Sequence, residues 1–253
     1  MASLSLSLKS AIGFSGNVAS GLHYTPCGKF VVFPLGSVVV LRSLSSKKHF
    51  FLDAGIDKKV SCVAISNDGS FLATGHETPA AFKAEIVVWD LKKAMEDYSN
   101  DVALSEECVL HVLSQHHKRV QALDFSCDAQ YLTSLGGQDD NDIVVWNVSS
   151  GEAICGSPAS SDFSYCIKWL NKRNDRFVTC GNFHVRVWQV CTSTPKLHPI
   201  DVSMGSIRRK CICIFSSNHS TSSRVVNTYL IGTFALFFLL ICSCHAMSLR
   251  IRR

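Results

Sequence analysis

The chain has 253 residues, of which 47% are hydrophobic and 18% are charged. This composition argues against a disordered chain and fits one large or two small folded domains. The formal charge of +5 is uneven, because residues 202–253 contain seven Lys and Arg and no Asp or Glu. The other 18 basic and 20 acidic residues give residues 1–201 a net charge of −2. The main part of the chain therefore lacks the basic character typical of a nucleic-acid-binding protein.

The 12 cysteines do not form a metal-binding pattern. No Cys-x-x-Cys pair occurs, so a structural zinc site is not predicted, and the scattered cysteines are typical of reduced, buried thiols. Gly136-Gly137 is a turn and not a phosphate-binding loop, because no helix follows it. Lys9 interrupts the short apolar amino-terminus, so a secretory signal is not predicted either. We predict no catalytic, cofactor or metal site.

The segment Val120–Gly156 has the pattern of four consecutive antiparallel strands. Its short apolar or alternating runs are separated by turn-forming residues at 127–130, 136–140 and 149–151. A Trp-Asn dipeptide beginning at Trp146 closes the third run. Such a segment resembles one blade of a WD-repeat propeller, a unit that recurs roughly every 40–45 residues.

The polar residues of this segment match a hydrogen-bonded chain found in blades of the WD-repeat family. The resemblance implies a structural tetrad, formed by His116, Ser134, Asp140 and Trp146. Its physical basis is that a buried indole N–H and a buried carboxylate both need partners, and a satisfied chain fixes one geometry. The alternative, a catalytic pair of His116 and Asp140, is not needed because the blade accounts for both residues.

Three further segments repeat the four-run pattern. The predicted blades are at about residues 18–52, 58–114, 118–156 and 163–201. The repeat-defining Trp89-Asp90 dipeptide and Trp188 end the third runs of the second and fourth blades, as Trp146 does in the third. We predict an all-β fold, a partial WD-repeat β-propeller of about four blades with four antiparallel strands each, with a carboxy-terminal apolar helix.

The second and fourth blades depart from the regular repeat. His76–Glu85 lengthens a turn of the second blade, and the acidic segment Lys93–Glu107 is a helical or loose insertion before its fourth strand. Ile56 stands where the tetrad His would be in that blade, and Asn182 stands in the turn of the fourth blade where Asp140 stood. Inserted loops commonly carry binding, so both insertions are candidate contact surfaces, and the alternative is that they are solvated loops.

Longer phrases carry a more specific resemblance. They are AIGFSGN at 11–17, FPLGSVVVL at 33–41, KKVSCVAIS at 58–66, FKAEIVVWD at 82–90, YLTSLGGQDD at 131–140, EAICGSPA at 152–159 and VRVWQV at 185–190. Over about residues 8–201 the chain resembles the amino-terminal propeller of the cilia- and flagella-associated protein 52 family, truncated and with a divergent carboxy-terminus. The resemblance implies a non-enzymatic scaffold of motile cilia or flagella, a microtubule inner protein of axonemal doublets. Its implied partners are tubulin and other axonemal proteins, contacted to support motility.

The chain departs from that family in its blade number and after Asp201. Four blades cannot close a ring, for which about seven would be expected. Ser3–Ile12 has the alternation of a strand. We predict an irregular linker at 202–228, an apolar, candidate transmembrane helix at 229–248 and a basic tail at 249–253.

Three interpretations of the carboxy-terminal ending remain open: a membrane anchor, a buried propeller element and a replaced carboxy-terminus. Tyr229–Met247 is uncharged and close to the roughly 20 residues that cross a bilayer. The alternative function is therefore a membrane-tethered WD-repeat adaptor anchored by residues 229–247. An enzyme built on a propeller face is a third hypothesis, for which no converging acid and base residues are found.

Overall fold

The computed structural model describes residues 13–14, 16–79, 82–99, 106–170, 173–191, 194–203, 210–216, 222–227 and 247–250. Four sheets within these ranges have four strands each, and a fifth sheet has three. In each four-stranded sheet, strands that are consecutive in sequence pair antiparallel. The predicted all-β fold, a partial WD-repeat propeller of four four-stranded blades, is therefore confirmed.

The first two blades occupy the amino-terminal half of the chain. Blade 1 consists of β1 His23–Tyr24, β2 Phe30–Leu35, β3 Val38–Ser43 and β4 His49–Leu52. Blade 2 consists of β5 Lys59–Ile65, β6 Phe71–Glu77, β7 Lys83–Asp90 and β8 Val109–His117. Between β7 and β8 lie the helix α1 Leu91–Ser99 and a 3-10 helix at Glu106–Cys108. Half of the predicted turn insertion at 76–85 is thus strand, because β6 and β7 extend beyond the sheet core as a longer hairpin.

Blades 3 and 4 follow directly. Blade 3 consists of β9 Val120–Phe125, β10 Tyr131–Gly136, β11 Asp142–Asn147 and β12 Ala153–Pro158. Blade 4 consists of β13 Ser164–Trp169, β14 Arg176–Gly181, β15 Val185–Cys191 and β16 Lys196–Asp201.

Local polar contacts explain why the chain turns between the first two strands of blades 2 and 3. Ser66 Oγ donates to Asp68 Oδ1 over 2.6 Å and accepts from Phe71 N–H over 2.9 Å. In blade 3, Ser126 Oγ makes the same pair of bonds, to Asp128 Oδ1 at 2.7 Å and from Tyr131 N–H at 2.9 Å. Because the side chains satisfy the backbone of the turn, each hairpin is fixed locally.

The core lies between the blades rather than inside any one of them. The first strands form a row, in which β5 contacts β9, β9 contacts β13, and β13 contacts the strand Cys211–Ser216 of the fifth sheet. Because side chains alternate along each strand, each strand contributes residues to the two apolar layers on either side of its blade. In β7, Ile86 and Val88 pack towards blade 3, whereas Val87 and Trp89 pack towards blade 1. Each blade is therefore stabilised mainly by its neighbours.

The fifth sheet covers the far side of blade 4. It consists of β17 Cys211–Ser216, β18 Ser222–Asn227 and β19 Met247–Arg250. Cys211 and Ile214 of β17 are buried against Val178 and Val185 of blade 4. The irregular linker predicted at 202–228 is therefore corrected to a segment that contains two strands. An apolar blade face and a pairing partner impose strand structure on residues whose own pattern does not require it.

Two other predictions concern residues that the structure does not describe. Residues 228–246, which include most of the predicted apolar helix at 229–248, lie outside the described ranges. Residues 1–12, with the predicted strand Ser3–Ile12, also lie outside them. The predicted basic tail at 249–253 begins within β19. No helix in the described ranges combines the length and the apolar character that crossing a bilayer requires.

Candidate functional site

A chain of hydrogen bonds joins the predicted tetrad residues across two blades. His116 is on β8 of blade 2, Ser134 and Trp146 are on β10 and β11 of blade 3, and Asp140 is in the turn between those strands. Trp146 Nε1 lies 2.8 Å from Ser134 Oγ, and the same oxygen lies 2.7 Å from His116 Nε2. His116 Nδ1 lies 3.1 Å from Asp140 Oδ2. The structure thus brings all four side chains together.

The donor and acceptor properties of the four side chains determine which atom donates in each of these hydrogen bonds. The indole N–H of Trp146 can only donate, so the Ser134 oxygen accepts it. An ionised Asp140 carboxylate can only accept, so the hydrogen between it and the imidazole is assigned to His116 Nδ1, and His116 Nε2 then accepts from the Ser134 hydroxyl. The N–H of His117 donates to the same carboxylate oxygen over 2.9 Å. Burial would raise the pKa of Asp140, but the bonds from His116 and His117 outweigh it and hold the pKa below its ordinary value of 3.8.

Gly136 makes room for the Asp140 carboxylate. A Cβ atom at position 136 would lie 1.6 Å from Asp140 Oδ1, which is far inside van der Waals contact. At the neighbouring Gly137 the nearest atom to an added Cβ is the Arg119 Cβ, at 3.2 Å. The close approach of a carboxylate therefore requires the first glycine of this pair.

The order Ser134, His116, Asp140 is that of a hydrolase triad, but its burial prevents nucleophilic chemistry. Ser134 is 0% exposed and His116 is 1% exposed. An open cavity of about 410 Å³ is lined by His116, Asp140 and Asp142, but Ser134 is not part of its wall. No substrate carbonyl can reach the hydroxyl in this geometry, so the chain of bonds can only hold strands together. In the part of the chain that the structure describes, no group of three His, Cys, Asp or Glu side chains is placed to hold a metal ion.

The other two repeat-defining indoles occupy equivalent places. Trp89, Trp146 and Trp188 are paired with Leu72, Leu132 and Phe177 on the second strand of their blades. In each blade the indole N–H donates to a hydroxyl two residues further along that strand. The acceptors outside blade 3 are Thr74 at 3.2 Å from Trp89 and Thr179 at 2.9 Å from Trp188.

The repeat-defining Asp90 and the residues at the tetrad positions of blades 2 and 4 have other roles. Asp90 accepts the N–H of Lys93 over 2.9 Å, so it caps the amino-terminus of α1. Ile56 packs against the apolar layer between blades 1 and 2. Asn182 accepts a hydrogen bond from the Tyr165 hydroxyl over 3.2 Å. The hydrogen-bonded tetrad is therefore observed at blade 3, whereas the indole–hydroxyl bond is observed in blades 2, 3 and 4.

A second polar cluster, which was not predicted from the sequence, lies between blades 3 and 4. Trp169 donates its indole N–H to Thr133 Oγ1 over 3.0 Å and its backbone N–H to Asp124 Oδ2 over 2.6 Å. The Lys168 ammonium also donates to the Asp124 carboxylate. Burial raises the pKa of Asp124, and the Lys168 charge opposes this effect. The available signal was the acidic Asp124 between the apolar Leu123 and Phe125 of the first strand, because a buried carboxylate there needs a partner.

The two candidate contact surfaces differ in order and exposure. At the tip of the β6–β7 hairpin, Thr78 Oγ1 donates to Phe82 O over 3.1 Å, and the Phe82 side chain is 61% exposed. On α1, Leu91 and Ala94 are buried against blade 2, while Lys92 and Glu96 face solvent. Both surfaces therefore project from a fixed base.

Comparison with known proteins finds similarity to WD-repeat proteins. Residues 47–90 and 107–147 match the family "WD domain, G-beta repeat". Each matched range begins near the last strand of one blade and ends with the Trp-bearing third strand of the next. The sequence repeat therefore links adjacent blades, as the bonds between His116 and blade 3 do.

Longer similarity is found to cilia- and flagella-associated protein 52. The chain is 41% identical to that of Chlamydomonas reinhardtii over 204 residues, which is 81% of this chain and 31% of the relative. It is 36% identical to that of Bos taurus over 222 residues, 84% of this chain and 32% of the relative. WD repeat-containing protein 90 of Mus musculus is 28% identical over 152 residues, 59% of this chain and 7% of the relative. The chain thus spans about a third of the length of the first two relatives.

Proposed function

We infer, from the premise that this chain is a WD-repeat protein similar to cilia- and flagella-associated protein 52, that it is a non-enzymatic scaffold of motile cilia or flagella. The observation that carries the proposal is the 41% identity, over 81% of the chain, to a relative whose name associates it with these organelles. The buried tetrad supports it, because the polar constellation that most resembles a catalytic one holds two blades together.

In the finer form of the proposal, the chain is a microtubule inner protein of axonemal doublets that contacts tubulin and neighbouring axonemal proteins and supports motility. Two surfaces are suited to such contacts, namely the hairpin tip around Phe82 and the outer side of α1. Both are additions to the repeat, and both combine an ordered base with exposed side chains. An ordered surface loses less conformational freedom on binding than a flexible loop would.

Fractionation of flagella tests the proposal. The full chain, carrying an epitope tag, is expressed in a cell with motile flagella, and the isolated flagella are treated with non-ionic detergent. We expect the chain to remain with the axoneme and to leave with high salt or with treatments that disrupt tubulin. Complete release by detergent would refute the axonemal assignment.

Alkaline extraction of total membranes separates the scaffold from the alternative, a membrane-tethered adaptor anchored by residues 229–247. That alternative is supported by the uncharged, apolar composition of Tyr229–Met247. A tethered chain stays in the membrane pellet at alkaline pH, whereas an axonemal scaffold is absent from it.

Surface substitutions identify the contact. Phe82→Ser at the hairpin tip and the pair Lys92→Glu with Glu96→Lys on α1 are compared with Leu44→Ser, an exposed apolar residue in a turn of blade 1. We expect at least one of the first two variants to release the chain at lower salt, and Leu44→Ser to behave as the unmodified chain. Unchanged retention of both variants would remove these surfaces from the interface.

A further inference from the structure

One repeated position in the first strands carries cysteine in two of three blades. In blades 2 and 4 a β-bulge interrupts the pairing of the first two strands, and the residues that follow it are Cys62 and Cys166. Their partners on the second strand differ, because Cys62 is opposite Gly75 whereas Cys166 is opposite Cys180. The chain therefore contains a facing thiol pair in blade 4, and a matched single thiol in blade 2.

The register brings the blade 4 thiols within bridging range. Directly opposed residues of an antiparallel pair have Cα atoms about 4.5–5.5 Å apart, and a disulfide requires about 4.4–6.8 Å. Both side chains belong to the layer between blade 4 and β17, where Cys180 is fully buried and Cys166 is partly exposed. The structure has neither residue in a disulfide.

The two repeat positions give their thiols different acidity. A hydrogen bond from the Cys180 thiol lowers the pKa of Cys166, which outweighs the opposing effect of burial. Cys62 has no thiol opposite it, and burial raises the pKa of Cys62 to about 12. Since the thiolate is the reactive form, an oxidant meets a more reactive and more accessible sulfur at Cys166 than at Cys62.

We propose that Cys166 and Cys180 are a redox-active dithiol, which hydrogen peroxide converts into an intrachain disulfide between β13 and β14. In the first step the Cys166 sulfur attacks one peroxide oxygen, the O–O bond breaks, and sulfenic acid and water form. In the second step the Cys180 sulfur attacks the Cys166 sulfur, the S–O bond breaks, and the hydroxyl group leaves as water with the thiol proton. Two thiols are oxidised and one peroxide is reduced to two waters.

Peptide mapping of the full chain tests this proposal. The protein is treated with hydrogen peroxide, remaining thiols are alkylated in denaturant without reductant, and the product is digested with trypsin and chymotrypsin. Cleavage after Tyr165, Lys168, Arg176 and Arg186 separates the two cysteines from each other and from the rest. We expect a linked peptide pair containing Cys166 and Cys180, which dithiothreitol resolves, and alkylated Cys62. Absence of that pair, or linkage of Cys166 to Cys211 instead, would overturn the proposal.

Variants provide the controls. Cys180→Ser should prevent the linkage and leave a sulfenic acid at Cys166 that a dimedone probe captures, whereas Cys62→Ser should leave the yield of linked peptide unchanged. Linkage in Cys62→Ser at less than half the unmodified yield would contradict the assigned pairing. The mapping of the unmodified chain decides the proposal if Cys180→Ser does not fold.

Discussion

Ser134→Ala removes the hydroxyl that two buried groups share. Trp146 Nε1 and His116 Nε2 both contact Ser134 Oγ, at 2.8 and 2.7 Å, and Ser134 itself is fully buried. Each buried polar group left without a partner costs about 1–3 kcal/mol, so we expect the free energy of unfolding to fall by about 2–6 kcal/mol. A domain has about 5–15 kcal/mol of stability in total, so this loss would be a large fraction of it.

Thr74→Val is the matched control for this prediction. Thr74 accepts the indole N–H of Trp89 at the equivalent place of blade 2, but no histidine is bonded to it. Its replacement leaves one buried group, the Trp89 indole N–H, without its acceptor, and we expect the free energy of unfolding to fall by about 1–3 kcal/mol. Urea unfolding, followed by tryptophan fluorescence and by circular dichroism, measures both variants at constant m-value. Equal losses for the two variants, or a loss below about 1 kcal/mol for Ser134→Ala, would refute the reasoning.

Three further outcomes are expected. Gly136→Ala should displace the Asp140 carboxylate and cost about 3 kcal/mol or more in urea unfolding, against about 1 kcal/mol or less for Gly137→Ala, and similar losses would contradict the close approach. Because the pKa of Asp140 is lower when folded than its ordinary 3.8, its stabilisation is complete above that value and is lost as the pH falls through the folded pKa. Asp140→Asn should therefore lose less stability than the unmodified chain between about pH 5 and pH 2. Parallel curves of unfolding free energy against pH for the two proteins would contradict this role of Asp140. Truncation after Ser203 uncovers the apolar face that β17 buries and should increase aggregation in light scattering, whereas unchanged scattering would show that this cover is dispensable.

The regular part of the fold was predictable because local and global signals agree there. Alternation marks the strands, the turn residues mark their ends, and the spacing of Trp89, Trp146 and Trp188 locates the third strand of three blades. The hydrogen-bond acceptors of these indoles were predictable in blade 3 alone. In blades 2 and 4 the acceptor is a threonine, and a threonine also fits a strand for reasons of propensity alone.

The parts that escaped prediction depend on contacts between distant segments. The pairing of Asp124 with Trp169 spans two blades, and no short-range pattern encodes which blade a buried carboxylate will meet. The extension of β6 and β7 is similar, because Thr78 N–H and Lys118 O bond over 2.6 Å and give the hairpin tip a partner outside its own sheet. Strand β17, within 202–228, depends on blade 4 in the same way.

Strand β10 explains how one blade is fixed to both of its neighbours. Adjacent strand residues point to opposite faces, so Ser134 serves Trp146 and His116 in the layer shared with blade 2, while Thr133 serves Trp169 in the layer shared with blade 4. Slippage of β10 by one residue would turn each hydroxyl to the opposite layer, so at least one of the two indole donors would lose its acceptor. The two hydroxyls therefore specify the register of β10. An ordered stack of blades, which any scaffold must present to its partners, follows from this register.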